Sequence, residues 1–196
     1  MQKMLKDLQY LSGCFVLLYM KILAAFITGI SLWTLAEYLM HRFLGHEHKG
    51  KNFFKAEHGQ HHAKYNYFAP AHKKALLALV VMVVLFAVLQ TIIAASIVAA
   101  FLVGFLSMYV LYEATHYRFH IRKPVAKPFI ILRKHHFYHH FHNPKKNHGV
   151  TTRFWDRVFG TFVPVEKVRV PRKMAMQWLL QNKEIKPVYA PHFYLI

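Results

Sequence analysis

From Ala75 to Tyr112 the chain runs for 38 residues without a single Asp, Glu, Lys or Arg, and this stretch limits the possible folds more than any other. A straight helix of that length spans roughly 57 Å, nearly twice the ~30 Å hydrocarbon core of a bilayer. The stretch therefore folds back on itself. Gln90, Thr91 and Ser96 are the most polar residues near its midpoint, which places the turn there and predicts two membrane spans. A hairpin returns the chain to the side it left, so the segments before Ala75 and after Tyr112 end on one membrane face.

The remaining composition agrees. A length of 196 residues fits one domain, and 55% apolar content with a mean hydropathy of +0.19 exceeds what an ordinary soluble protein carries. The expectation is an all-α integral membrane bundle with three to four transmembrane helices. It forms one domain over 1–196, with membrane segments at about 10–40 and 75–112 and a helical cap from 41–74 and 113–196. Lys21 and Glu37 interrupt the apolar stretch from Tyr10 to Met40. One span from about Lys21 to Met40 after an interfacial helix is the fair reading, and a second, shorter hairpin is its rival. No convincing small-residue cleavage site follows the first apolar run, so the segment reads as retained.

The formal charge of +18 follows the same layout. Lys and Arg number three up to Lys21, seven from Arg42 to Lys74 and sixteen from Arg118 onward. The positive-inside rule then makes the face bearing the later groups cytoplasmic. Basic residues that flank apolar runs argue against nucleic acid as a partner, since no separable basic domain exists. A lone cysteine, Cys14, excludes a disulfide framework, a cysteine-held iron–sulfur cluster and a CxxCH haem site.

On that face lie four histidine clusters: His41 and His46; His58, His61 and His62; His116 and His120; His136, His139 and His140. In HGQHH and HFYHH the imidazoles stand at i, i+3 and i+4, which sets three on one helical face. HYRFH gives an i, i+4 pair. HRFLGH is different, because five residues turn an ideal helix by roughly 500° and leave His41 and His46 about 140° apart. The helix must end or distort between them, and Gly45 is well placed to allow it. Neutral imidazole suits iron, zinc, copper and nickel, so ten histidines can give five ligands to each of two metals and leave a position open. A closed structural zinc site takes four ligands, often cysteine. His135, His142 and His148 flank the last cluster and read as surface residues more readily than as ligands, while His72 and His192 fit no spacing.

Two carboxylates stand where a membrane helix should avoid them. Glu37 precedes His41 by four residues and Glu113 precedes His116 by three. Each is expected either to accept a hydrogen bond from a ligand's distal ring nitrogen or to pair with a neighbour such as Arg42 or Arg118. Asp156 is expected to bond a ligand histidine or Arg153, anchoring the cap with Trp155. The basic face around Lys145, Lys146, Arg153 and Arg157 reads as solvated, with anionic headgroups or an acidic electron donor as the alternative.

With these residues in view, EYLMHRFLGH, HGQHHAKYNYFAP, YEATHYRFH and KHHFYHHFHNPKKNHGVTTRFWDRVFGT resemble the fatty acid hydroxylase superfamily of membrane dimetal enzymes. That superfamily includes sterol desaturases and sphingolipid fatty acyl hydroxylases. The resemblance covers about residues 30 to 165 and follows the order HxxxxH, HxxHH, HxxxH, HxxHH. It implies a bundle of usually four transmembrane helices under a cytosolic site. That site would hold two iron ions, replaceable by zinc, and use molecular oxygen as cosubstrate to hydroxylate a fatty acyl or sphingolipid-like lipid. No cytochrome b5 domain lies within this sequence, so a separate electron-donor protein, cytochrome b5-like or ferredoxin-like, is expected. Lys64, Tyr65 and Asn66 stand where acyl 2-hydroxylases often carry an acid, so the resemblance points to the superfamily rather than to that subgroup. A desaturase or carotenoid hydroxylase with the same centre, and a non-catalytic metal-binding or transport protein, are the competing functions.

Overall fold

The protein, a computed structural model, is described over residues 2–196, with the backbone alone at 3–11 and 127. Helix α1 (Gln2–Leu39) continues without a break into a π-helix (Met40–Glu47), followed by α2 (Phe53–Ala63), α3 (Ala71–Leu89), α4 (Ala95–Ile121), α5 (Lys127–Phe141) and the short α6 (Phe154–Val158). Among the described residues, three helical segments are long and apolar enough to cross a membrane: Ser12–Glu47, Ala71–Leu89 and Ala95–Ile121. The turn between α3 and α4 falls at 90–94, where the polar residues predicted it. No break separates an interfacial helix from the first span, and the rival N-terminal hairpin does not form, because α1 is a single helix through Lys21 and Glu37.

The chain divides into two compact units. One takes α1 up to Trp33 together with His72–Tyr109. Within it α1 and α4 approach through glycine: a Cβ on Gly29 would collide with the carbonyl of Phe101, and one on Gly104 with that of Phe26. Small residues at such a contact let two apolar helices close where lipid offers no hydrophobic drive. Trp33 closes the contact, edge-on to Phe105 at 5.1 Å and tilted on Tyr109 at 4.8 Å between ring centroids. α3 has no buried residue, as suits a helix whose apolar surface faces lipid.

The other unit comprises Thr34–Ala71 and Val110–Ile196. Its core centres on Phe119, Phe137, Met176, Leu179 and Phe193, with the tail wrapped around α5. The tail adds short strands to the expected helices and turns. β1 (Val168–Val170) pairs in parallel with β4 (Phe193–Leu195), and β2 (Leu180–Gln181) pairs antiparallel with β3 (Glu184–Ile185). The β2–β3 turn places Asn182 and Lys183 at φ of 51° and 64°, the left-handed pair a two-residue hairpin favours.

Candidate metal centre

The clustered histidines converge within the second unit, and local geometry explains how. A π-helix bonds each N–H to the carbonyl five residues back, so residues i and i+5 come close to one face. The wide turn over Met40–Glu47 thereby brings together His41 and His46, which an α-helix would separate. The distortion read from their spacing is this π-helix, and the helix does not end at Gly45. A Cβ on Gly45 would press at 3.0 Å on the ring of His58, so glycine there admits α2.

The rings sort into two groups of five. His41, His46, His58, His62 and His139 form the first, and His61, His116, His120, His136 and His140 the second. Within each group one ring nitrogen per residue lies within 4.8 Å of every other, and either group can hold a metal ion. Both HxxHH triplets are divided by this sorting. The i, i+4 pair of α2, His58 and His62, joins the first group and His61 joins the second; in α5 the pair His136 and His140 joins the second and His139 the first. The two groups meet where His62 stacks on His140 at 4.1 Å, with the rings 8° apart.

Protonation states can be argued from the partners. A carbonyl only accepts, so Nδ1–H of His139 donates to Lys146 at 2.9 Å and Nδ1–H of His61 donates to Tyr67 at 2.7 Å. His139 then turns an unprotonated Nε2 toward Nε2 of His46 at 2.9 Å and of His62 at 3.1 Å. His46 in turn faces His58 at 2.8 Å, and in the second group His120 faces His136 at 2.9 Å. Nε2 of His41 and both ring nitrogens of His140 are buried without a hydrogen bond. Lone pairs turned toward one another in a dry site repel, and buried polar nitrogens without partners are rare; a cation among them satisfies both conditions. The residues present therefore fit two bound metal ions.

Burial also keeps these rings neutral, the form that ligates. It holds His58, His136, His139 and His140 well below the ordinary imidazole range and pushes His62 down to about 3, with neighbouring imidazoles adding to the effect.

Two of the three carboxylates, Glu37 and Asp156, settle differently from the sequence expectation. Glu37 does not take a ring N–H and does not pair with Arg42. Its carboxylate accepts the backbone N–H of Val150 at 2.6 Å and of Thr151 at 3.1 Å, together with the Thr151 hydroxyl. Arg42 pairs instead with Glu47 at 2.7 Å. The nitrogen of His41 that Glu37 was expected to hold lies against the carbonyl of His148. Asp156 bonds neither a residue of the two groups nor Arg153. It accepts Nε2–H of His135 at 2.9 Å, the N–H groups of His148 and Gly149 at 2.8 Å each, and the Thr161 hydroxyl at 2.7 Å. These donors hold its carboxyl below the usual range against the burial that opposes them. Glu113 is half-buried one turn before His116 on α4. Trp155 donates to the Thr34 hydroxyl at 2.9 Å, as an anchor should.

His148 and His135 are corrected from surface residues to interior ones, exposed by 0% and 2%. His148 rides on a turn fixed from three sides. Asn147, at φ 58°, exchanges two side-chain bonds with the backbone of Val163; Asp156 takes the next two N–H groups; Glu37 takes the two after those. The ring of His148 reaches within 5.1 Å of His139 and 5.5 Å of His41 between centroids. Sequence reasoning missed its burial. The available signal was its place within NHGVT, where Asn147 takes the left-handed backbone of the turn and a Cβ on Gly149 would collide with the carbonyl of Thr152.

Apolar helices of membrane length, two of which end in histidines of the two imidazole groups, define a membrane protein with a histidine-rich region that can hold metal. The chain belongs to the fatty acid hydroxylase family, whose profile matches residues 26–161. It is 33% identical to rat fatty acid 2-hydroxylase, covering 72% of this chain and 40% of that protein. It is 34% identical to the ceramide very long chain fatty acid hydroxylase scs7 of Schizosaccharomyces pombe, over 80% of this chain and 47% of that one. With the dihydroceramide fatty acyl 2-hydroxylase FAH2 of Arabidopsis thaliana it shares 33% identity, over 68% of this chain and 58% of that protein. The chain thus spans between 40% and 58% of the lengths of these relatives. Among solved structures, the hydroxylase domain of full-length scs7p superposes with a TM-score of 0.57 and 28% identity, covering 74% of this chain and 57% of that one.

Proposed function

We propose that the protein is an oxygen-dependent di-iron hydroxylase that inserts a hydroxyl group into an unactivated C–H bond of a fatty acyl or sphingolipid-like membrane lipid. The observation that carries this reading is the pair of five-imidazole groups, each with bare nitrogens turned inward. Five nitrogen ligands leave one position of a six-coordinate ion open. The names of the relatives, fatty acid and dihydroceramide fatty acyl 2-hydroxylases, favour acyl hydroxylation over desaturation or carotenoid hydroxylation.

Iron is the metal proposed; two ions bound here supply the activation of molecular oxygen that an unactivated C–H bond demands, while the protein supplies binding and orientation. His41, His46, His58, His62 and His139 would hold one ion, and His61, His116, His120, His136 and His140 the other. The carbonyls of Lys146, Tyr67 and His148 fix ring orientation from outside, as distal partners do in metal sites. Glu113 is proposed to support His116. The apolar walls of α4 and its neighbours would admit an acyl chain and exclude water. A separate electron-donor protein, cytochrome b5-like or ferredoxin-like, would deliver electrons, and the histidine-bearing side would face the cytoplasm on the charge distribution.

The test is elemental analysis of protein purified from iron-supplied cells, paired with lipid analysis of the host. Two irons per chain and a lipid gaining one oxygen support the reading. A lipid losing two hydrogens replaces it with desaturation. Bound metal without oxygen consumption replaces it with a metal-binding or transport protein.

A further inference from the structure

A cavity of about 580 Å³ opens on the second unit at the end of α4, lined by none of the ten clustered histidines, and its wall is strongly basic. Arg118, Arg122 and Lys123 come from the end of α4 and the residues after it, and Lys186 from the tail; Trp178 and Ile121 add apolar surface. No carboxylate is among the lining residues. Cavities that hold small ligands have about this size, with a few convergent polar groups on an apolar wall.

A second observation points to the same place. Arg133 is 2% exposed. Its guanidinium lies 4.4 Å over the ring of Trp178, and one terminal nitrogen donates to the carbonyl of Arg118 at 2.9 Å. Trp178 and Arg118 both line the cavity, so Arg133 sits directly behind its wall. Two further donors of this guanidinium, Nε and Nη1, have no hydrogen bond, and among the described residues Arg133 makes no ion pair. A buried cation without an anion is costly. An anion in the adjacent cavity would lower that cost and the mutual repulsion of the four lining cations at once.

The wall is also built rather than incidental. The indole N–H of Trp178 donates to the carbonyl of His120 at 3.1 Å, and Lys186 is tied to the carbonyl of Trp178 at 3.0 Å. Arginine matches the oxygens of a phosphate ester in bidentate fashion, and clustered Arg and Lys supply the charge. The candidate membrane span of α4 ends at Ile121, the level at which lipid phosphates lie.

We propose that this cavity binds a phosphate group with net negative charge, that of an anionic lipid headgroup or free inorganic phosphate, with Arg118, Arg122, Lys123 and Lys186 as its ligands. None of its lining residues belongs to either imidazole group, and Trp178 joins its wall to the backbone of His120.

The experiment uses the full chain in phosphatidylcholine nanodiscs. Binding of short-chain phosphatidylglycerol and of inorganic phosphate is measured in separate titrations, with short-chain phosphatidylcholine, a zwitterion whose phosphate diester is balanced by its own ammonium, as the control without net charge. The variant is Arg122→Gln with Lys123→Gln, both exposed; the comparison variant is Lys49→Gln with Lys51→Gln, which removes the same charge elsewhere. Saturable binding of phosphatidylglycerol or of phosphate, weakened roughly tenfold or more in the first variant and unchanged in the second, supports the proposal. Phosphatidylglycerol binding alone assigns a lipid source, and equal binding of phosphate a soluble one. Equal weakening in both variants reduces the effect to diffuse charge and overturns it, as does the absence of saturable binding by either anion. Size-exclusion elution and metal content of the first variant are expected to match the unsubstituted protein, which separates loss of this site from loss of the fold or of the metal centre.

Discussion

Nδ1 of His41 lies 2.5 Å from the carbonyl oxygen of His148, across 107 residues of sequence. The ring that enters the first imidazole group is therefore oriented by the backbone of a distant turn, and that turn is held by Asp156 through the N–H groups of His148 and Gly149.

Asp156→Asn keeps the shape of the side chain and removes its charge, so it sets an amide NH₂ against donors that need an acceptor. The expected loss is about 2 kcal/mol of stability, read as a lowered thermal midpoint in detergent. Metal content is expected to fall with it. An unchanged midpoint would show that the turn does not depend on the carboxylate.

Glu37→Gln tests the other support of the same turn. Gln can still accept one N–H, but it cannot serve Val150, Thr151 and the Thr151 hydroxyl as a carboxylate does. Destabilisation of about 1–3 kcal/mol is expected, with Thr151→Ala a milder version of the same effect. Thermal unfolding of the two variants and their combination checks this: the double variant should lose less than the sum, because both remove one contact.

Acid should weaken the metal-free protein before it protonates any exposed carboxylate. His62 and His148 titrate near 3 and 4 in the fold against 6.5 when free, so the unfolded chain binds more protons between those values. Their contribution is fully present above pH 6.5 and is lost as pH falls toward 4 and then 3. Denaturation midpoints of metal-stripped protein at pH 7.5, 6 and 5 should decline in that order. A flat profile would contradict the burial of these rings.

Gly29→Ala or Gly104→Ala would drive a methyl group into a backbone carbonyl on the facing helix. Either substitution should destabilise the first unit by about 1–3 kcal/mol, while a Gly13→Ala control, with nothing near the added carbon, should leave stability unchanged or raise it by up to about 1 kcal/mol. Thermal unfolding with metal content as a second readout separates damage to this helix contact from damage to the imidazole groups.

The hairpin was legible because Gln90, Thr91 and Ser96 interrupt an otherwise uncharged stretch. The ten histidines were legible because helical spacing sets them on common faces. How each HxxHH triplet divides was not, since one face can address two neighbours and only tertiary packing decides which ring turns where. Five-residue spacing at His41 and His46 announced a distortion without naming the π-helix. Glu37 lies 113 residues from its partner Val150, beyond any local pattern, so proximity to His41 misdirected the reading. The tail strands, of two or three residues each, are too short to display alternation.

The crossed allocation of α2 and α5 has one more consequence. Each helix lends rings to both groups, so an ion that rigidifies α2 and α5 from one side has already ordered part of the other site. The second ion then meets a smaller entropic penalty than the first. Loading should be positively cooperative: under metal scarcity a population would divide into empty and doubly filled molecules, with few carrying one ion. A protein that fills this way has no abundant half-assembled form in which a single reactive centre could act without its neighbour.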